Sequence, residues 1–203
     1  MSNGDALGID VSHYQGSVDW QQVQVAGIQF AFAKATEGIT WSDPEFATNW
    51  AGMKTAGILR GAYHFFEPDD DAAQQAEFFL QTVQLESGDL PPALDVETAA
   101  ATSAELWQGV QTWLEQVAAA TGTTPILYMS PDFADDNDVP SSLAAYPLWV
   151  ADYGVEQPTL PQGWTTWLLW QSSEDGTVAG IDGAVDLDEA NGPLADLQAI
   201  AKA

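Results

Sequence analysis

No cysteine occurs among the 203 residues, so neither a disulfide framework nor a thiolate metal site is open to this chain. Basic residues are nearly as scarce: four Lys and Arg stand against 30 Asp and Glu, a formal net charge of −26. A surface that negative repels phosphates and argues against nucleic acid as a partner. The two histidines, His13 and His64, leave little for a histidine-based metal centre, and no metal or other cofactor is expected. No apolar run approaches the roughly 20 residues of a membrane-spanning helix, so no membrane insertion is expected either. The opening Met1-Ser2-Asn3-Gly4-Asp5 lacks the basic and apolar segments of a secretory leader. What is present is apolar and aromatic. Hydrophobic residues make up 46%, with nine Trp, eight Phe and five Tyr, enough to exclude wholesale disorder despite the charge. The length suits one domain, expected to span residues 1–203.

Apolar runs bounded by turn residues predict strands at Leu7–Val11, Phe30–Ala35, Gly61–Phe66, Ala93–Val96, Pro125–Met129, Leu148–Ala151, Thr166–Gln171 and Val185–Leu187. Several are apolar throughout, as strands buried on both faces of a parallel sheet must be. Helical patterns separate the early ones. Asp19 can cap a short helix carrying Trp20 and Val23. Asp43-Pro44 reads as N-cap and first-turn proline ahead of Phe46, Trp50 and Met53, with Gly57 as the stop. Ala72, Ala76, Phe79, Leu80 and Val83 share the next helical face. Thr102-x-x-Glu105 makes a capping box before Leu106, Val110, Trp113, Leu114 and Val117, closed by Gly122. The last third differs. Neither 153–166, with Pro158, Pro161 and Gly163, nor the Gly-, Ser- and Asp-rich 172–184 carries a helical period, and one final helix is predicted near 193–202. The pattern predicts an α/β fold, a shortened TIM-like β/α barrel of five βα units followed by three strands with few helices. A full barrel takes about 250 residues, so this length fits one that has lost helices.

In such a barrel, chemistry sits at the C-terminal ends of the strands. The residues there are Asp10, Lys34 with Glu37, His64, Asp95 with Glu97, Tyr128, Asp152, Gln171 and Asp186. Any single acid at a strand end reads as a cap or loop residue. A ring of them is different, because gathering carboxylates carries a large desolvation and repulsion cost. Asp95 and Glu97 form the densest pair. Residues i and i+2 of a strand point the same way, about 6–7 Å apart. Two carboxyls so placed push their proton affinities apart, giving one acid and one carboxylate, as glycosidic cleavage requires. Paired carboxylates also attract Mg²⁺ or Ca²⁺, so a metal site is the competing reading. Tyr14, Tyr63, Phe65, Phe66, Tyr128, Trp149, Tyr153 and Trp170 fall near strand ends, where ring faces can stack on sugar C–H surfaces, although strand alternation should bury about half. His64 can be a substrate contact or a satisfied core histidine, and His13 sits in the loop after Asp10.

Six blocks occur in order: Gly8-Ile9-Asp10-Val11-Ser12-His13-Tyr14-Gln15-Gly16, Phe32-Ala33-Lys34-Ala35-Thr36-Glu37-Gly38, Gly61-Ala62-Tyr63-His64-Phe65, Leu94-Asp95-Val96-Glu97, Leu148-Trp149-Val150-Ala151 and Trp170-Gln171. From Leu7 to about Leu187 the chain resembles family 25 of the glycoside hydrolases, the Chalaropsis-type lysozymes or N-acetylmuramidases. The resemblance implies a β/α barrel that hydrolyses the glycan strands of bacterial peptidoglycan. Glu97 would be the general acid and Asp95 the residue assisting the substrate acetamido group or the intermediate. Asp10 and Asp186 would complete the negative floor, and Tyr63, Phe65, Tyr128, Trp149, Gln171, Glu37 and His64 would contact sugar. It further implies a secreted enzyme or a phage lysin, acting as a monomer. The alternatives are a chitin-type glycosidase on a related barrel and a sugar-binding module without activity.

The charge generates the first prediction. Bacterial walls are commonly anionic, so enzyme and substrate should repel at low ionic strength. Salt shortens the Debye length to about 8 Å at 0.15 M and ~3 Å at 1 M, while acid below about pH 5 begins to protonate surface carboxylates. Wall lysis, measured across NaCl from near zero to ~2 M and pH from about 4 to 8, should therefore rise with salt or with acidity. Activity that peaks at neutral pH without salt and falls as NaCl is added would contradict this.

Overall fold

In the computed structural model, which describes residues 4–203, the first strand pairs with both the second and the last, and the sheet closes into a barrel. Met1–Asn3, part of the stretch read for a leader, lie outside the described residues. The strands are β1 (Leu7–Val11), β2 (Phe30–Glu37), β3 (Trp41–Ser42), β4 (Leu59–Phe65), β5 (Ala93–Asp95), β6 (Ile126–Met129), β7 (Leu148–Ala151), β8 (Leu169–Gly176) and β9 (Val185–Ala190). β3 is a short antiparallel arm on β2, and the other eight make the barrel. Neighbours from β1 round to β8 are parallel, whereas β9 runs antiparallel to both β8 and β1. Helices α1 (Trp20–Val25), α2 (Phe46–Ala56), α3 (Ala72–Thr82), α4 (Ser103–Thr121) and α5 (Pro131–Asp136) follow the first five barrel strands, and α6 (Leu194–Ile200) follows β9. This is the shortened barrel expected, five βα units and then three strands. None of the described helices is long and apolar enough to cross a membrane.

Alternation along the strands makes two apolar layers. Inward-facing Phe30, Phe32, Tyr63, Ala93, Ile126, Tyr128, Trp149 and Leu169 fill the barrel, with Leu90 and Leu197 packed among them. Outward-facing Ile9, Val11, Ala31, Ala33, Leu94, Leu127 and Val150 meet the helices through Val23, Met53, Phe79, Val110, Trp113 and Leu114. Gly8 and Gly61 leave room for the interior rings. A Cβ on Gly8 would lie 2.3 Å from Phe30, and one on Gly61 2.2 Å from Phe32. Where helices are missing, Trp164, Val178 and Ile181 from the long loops join the outer layer instead.

Local signals set most helix ends. Asp19, Asp71, Thr102 and Ser130 accept backbone N–H groups at the starts of α1, α3, α4 and α5. Gly57 and Gly122, at φ 75° and 73°, end α2 and α4 in the left-handed region. Three expectations need correction. Asp43 does not cap α2, which begins at Phe46 after an uncapped Glu45. Its Oδ2 instead accepts both the backbone N–H and Nδ1 of His13 at 2.9 Å, tying two mouth loops together. β5 ends at Asp95, so Glu97 lies just beyond the strand. β8 begins at Leu169, not Thr166, and continues past Gln171 to Gly176 as a bulged hairpin arm with β9, in a stretch expected to be loop or hairpin.

The end of the barrel away from the mouth is fastened by an ion pair. Arg60, 4% exposed, donates Nε to Asp89 Oδ1 at 2.7 Å and Nη2 to Oδ2 at 3.1 Å, while Nη1 reaches the Trp50 carbonyl. Its guanidinium also stacks 3.9 Å from the Trp50 ring centroid. Removing one member of a buried pair leaves the other charge uncompensated. Arg60→Met should therefore lower unfolding stability in urea by about 3–5 kcal/mol, and adding Asp89→Asn should restore part of the loss.

Candidate active site

The C-terminal ends of the parallel strands surround a cleft of about 800 Å³. β1 supplies Asp10, β2 Lys34, β4 Tyr63 and Phe65, β5 Asp95, β6 Tyr128, β7 Trp149, β8 Gln171 and Glu174, and β9 Asp186. Glu97, Tyr153 and the loop residues Ser12, Tyr14 and Gln15 complete the lining. Strand register explains the gathering: Asp10 pairs laterally with Asp186, Asp95 with Tyr128, and Tyr128 with Trp149. A second hollow adjoins the first. It shares Glu97, Tyr128, Tyr153 and Glu174 and continues past Ser130, Asp132 and Asp152. Glu97 thus stands between two hollows of one groove.

Five carboxylates line the cleft with one cation, Lys34, among the described residues. Lys34 is buried, bonds Glu37 Oε2 at 2.7 Å, and holds its ammonium 4.5 Å from the Phe65 ring centroid and 5.2 Å from that of Trp41. Burial pushes Asp10 and Asp95 well above the usual carboxylate range. The carboxyls of Asp188 and Asp186 raise Asp10 further, and Glu97 does the same to Asp95 while Lys34 opposes it. Asp186 is pushed up to about 6, mainly by burial, with a hydrogen bond shared with Asp10 opposing and Glu174 and Glu97 adding to the rise. Such a floor holds protons at pH values where surface acids do not. One oxygen of Asp95, Oδ1, is buried without a hydrogen-bond partner.

Gln171 is the hub of the polar network. Its Nε2 donates to Asp10 Oδ2 at 2.6 Å. Its Oε1 accepts the Tyr128 hydroxyl at 2.9 Å and the Tyr153 hydroxyl at 2.5 Å. Both tyrosines have thus committed their protons and offer the groove acceptor oxygens. At the rim, Tyr14 is 82% exposed, its ring 4.2 Å from that of His13, which stands edge-on to Trp41 at 5.1 Å. The short helical turn bearing Tyr14 is fixed by reciprocal bonds between Ser12 and Gln15.

The structure brings together Asp10, Asp95, Glu97, Asp186, Tyr63, Phe65, Tyr128, Trp149 and Gln171. Glu37 stays outside the lining and reaches it only through Lys34. His64 lies elsewhere. It points outward from β4, fully buried and stacked 5.6 Å from Trp113. Gln75 gives its amide N–H groups to the carbonyls of Glu67 and Asp70, so its Oε1 must accept from His64 Nε2, and Nδ1 accepts from Thr36 at 2.7 Å. Burial lowers His64 to about 4 and keeps the ring neutral. Phe66 and Trp170 belong to the outer layer as well. Sequence reasoning missed Asp188, which the same i, i+2 spacing relates to Asp186. It also missed Glu174, on the unforeseen extension of β8.

A glycosidase groove is what this geometry describes, and comparison with known proteins agrees. The family described as Glycosyl hydrolases family 25 matches residues 9–181. Lysozyme M1 of Streptomyces globisporus is 37% identical over 96% of this chain and 70% of its own length. The N,O-diacetylmuramidase of a Chalaropsis species is 31% identical over 88% of this chain and 95% of its own. The crystal structure of the bacterial lysozyme from Streptomyces coelicolor superposes with a TM-score of 0.93 at 35% identity, covering 100% of this chain and 99% of that one. The chain belongs to glycosyl hydrolase family 25. It is a glycoside hydrolase of the lysozyme type.

The hub gives a prediction. Gln171→Leu would strand the Tyr128 hydroxyl and leave Asp10 Oδ2 without its donor, and each buried group left unpaired costs about 1–3 kcal/mol. Urea unfolding should show a loss of that order, together with reduced hydrolysis. Unchanged stability would mean that water replaces the amide without penalty.

Proposed function

We propose that the protein is a muramidase acting outside the cell, as a monomeric single catalytic domain, on the glycan strands of peptidoglycan. It cleaves the β-1,4 bond between N-acetylmuramic acid and N-acetylglucosamine with retention. The observation that carries this reading is the position of Glu97 between two adjoining hollows, with the buried Asp95 beside it. A glycan laid along the groove would place one sugar in each hollow and the linking oxygen at Glu97. The names of relatives, a lysozyme and an N,O-diacetylmuramidase, support the choice of polymer.

Asp95 and Glu97 act as a coupled pair. In the free protein, burial favours the proton on Asp95. Bound sugar changes both sites: it takes water from the exposed Glu97, and its acetamido N–H meets the unpartnered Oδ1 of Asp95. The proton is then favoured on Glu97, which gives it to the leaving oxygen. Asp95, ionised, orients the acetamido group whose carbonyl oxygen attacks the anomeric carbon. Glu97 next takes a proton from water, which opens the intermediate from the face the leaving group vacated, and the configuration is retained. The acidic floor stabilises the positive charge developing on the sugar.

Glu97→Gln keeps shape but has no proton to give. Wall hydrolysis should fall by at least ~10²-fold with folding intact. Wild-type digests should contain new N-acetylmuramic acid reducing ends. New N-acetylglucosamine ends, or near wild-type turnover by the Gln variant, would refute the reading.

A further inference from the structure

Beneath the cleft floor, Asp188 on β9 is 1% exposed. Register places it between Gly8 of β1 and Gln171 of β8, one inward step deeper than Asp186. Its Oδ1 accepts the indole N–H of Trp149 at 2.9 Å. Its Oδ2 is buried with no donor in reach. The carboxyl of Asp10 lies against it, while the other side of Asp10 takes the Gln171 amide. The titratable groups on the surrounding strands are Asp10 on β1, Lys34 on β2, Tyr63 on β4, Asp95 on β5, Tyr128 on β6 and Asp186 on β9 itself. β7 and β8 turn uncharged Trp149 and Gln171 toward it.

An ionised carboxylate with one bare oxygen in a dry interior, touching a second carboxylate, is penalised twice, by desolvation and by repulsion. A neutral carboxylic acid removes both penalties, because its O–H finds an acceptor in Asp10. We propose that Asp188 is a positioning residue kept as the neutral acid, whose Oδ2–H donates to the Asp10 carboxylate and holds it ionised and fixed in the cleft floor. Of the two, Asp10 borders the open cleft and Asp188 does not, so the charge belongs on Asp10. Burial pushes Asp188 well above the usual carboxylate range; the hydrogen bonds with Trp149 and Asp10 pull against the rise and the neighbouring Asp186 adds to it. The consequence passes outward. An accepting Asp10 fixes the Gln171 amide with Nε2 inward, which turns Oε1 to Tyr128 and Tyr153 and leaves both tyrosines as acceptors toward the sugar. A proton moved from Asp188 to Asp10 would remove the reason for that orientation. The inference rests on Asp10 belonging to the working cleft, and not on the role of Glu97.

The test compares Asp188→Asn with Asp188→Ala. Asparagine reproduces the neutral acid, since its carbonyl accepts from Trp149 and its Nδ2–H donates to Asp10. Alanine supplies neither. Asp188→Asn should retain at least about a third of wild-type wall hydrolysis and Asp188→Ala should lose about tenfold, the equivalent of one hydrogen bond. Wild-type activity should decline on the alkaline side as Asp188 loses its proton, and the Asn variant should extend to higher pH. Stability supplies a readout independent of catalysis. An aspartate whose folded proton affinity is raised gives stability fully present below its unfolded value, near 4, and lost as pH rises through the folded one. Asparagine has no such loss, so the melting temperature of Asp188→Asn minus that of wild type should widen from about pH 4 to about pH 8. A constant difference, or an Asn variant as inactive as Ala with an unchanged alkaline limb, would overturn the proposal. A widening difference in a protein whose Glu97→Gln variant stays active would sustain it while refuting the muramidase mechanism.

Discussion

An ionised carboxylate moved from water into a protein interior loses several kcal/mol of hydration, and carboxylates gathered there repel one another as well. Asp10, Asp95, Asp186 and Asp188 meet at one end of this barrel with a single lysine nearby. Much of the architecture answers that constraint. Phe30, Phe32, Ile126 and Leu169 pack the barrel interior and exclude water. The rest of the barrel must therefore be stable enough to carry the strain at its mouth, and the Arg60–Asp89 pair fastens the opposite end.

Function follows from how the floor distributes its protons. Each donor in the network points at a carboxylate or at Gln171, so the hydrogen bonds run one way, from the tyrosines to Gln171 and from Gln171 to Asp10. Lys34 is held in the cleft wall by Glu37 and two aromatic rings, with no ion pair to Asp95, and from there it draws Asp95 down. Glu97 stands apart at the water's edge, where a bound sugar can change its surroundings more than those of any buried acid.

Much of this was legible in the sequence because parallel strands buried on both faces announce themselves. Leu7–Val11 and Leu148–Ala151 match from end to end. The outer half of β8 was not legible, because Ser173–Asp175 project beyond the barrel and carry the composition of a loop. α5 is too short to show a helical period, although Ser130-Pro131 is a recognisable start. Asp43-Pro44 has the form of a cap, and only the fold reveals that His13 approaches and claims the carboxylate. The alternation that paired Asp95 with Glu97 would have separated Tyr63 from His64 and joined Asp186 to Asp188, had it been applied along every strand.

The account stands on buried carboxyls that keep their protons. Carboxyl ¹³C NMR titration of Asp-labelled protein, with signals assigned through single Asp→Asn variants, reads this directly. Asp10 and Asp188 should titrate in coupled steps, with one proton, carried by Asp188, retained well above the surface aspartates; Asp95 should likewise titrate well above them, and Asp186 near about 6. Four signals titrating with the surface acids near ~4 would contradict it.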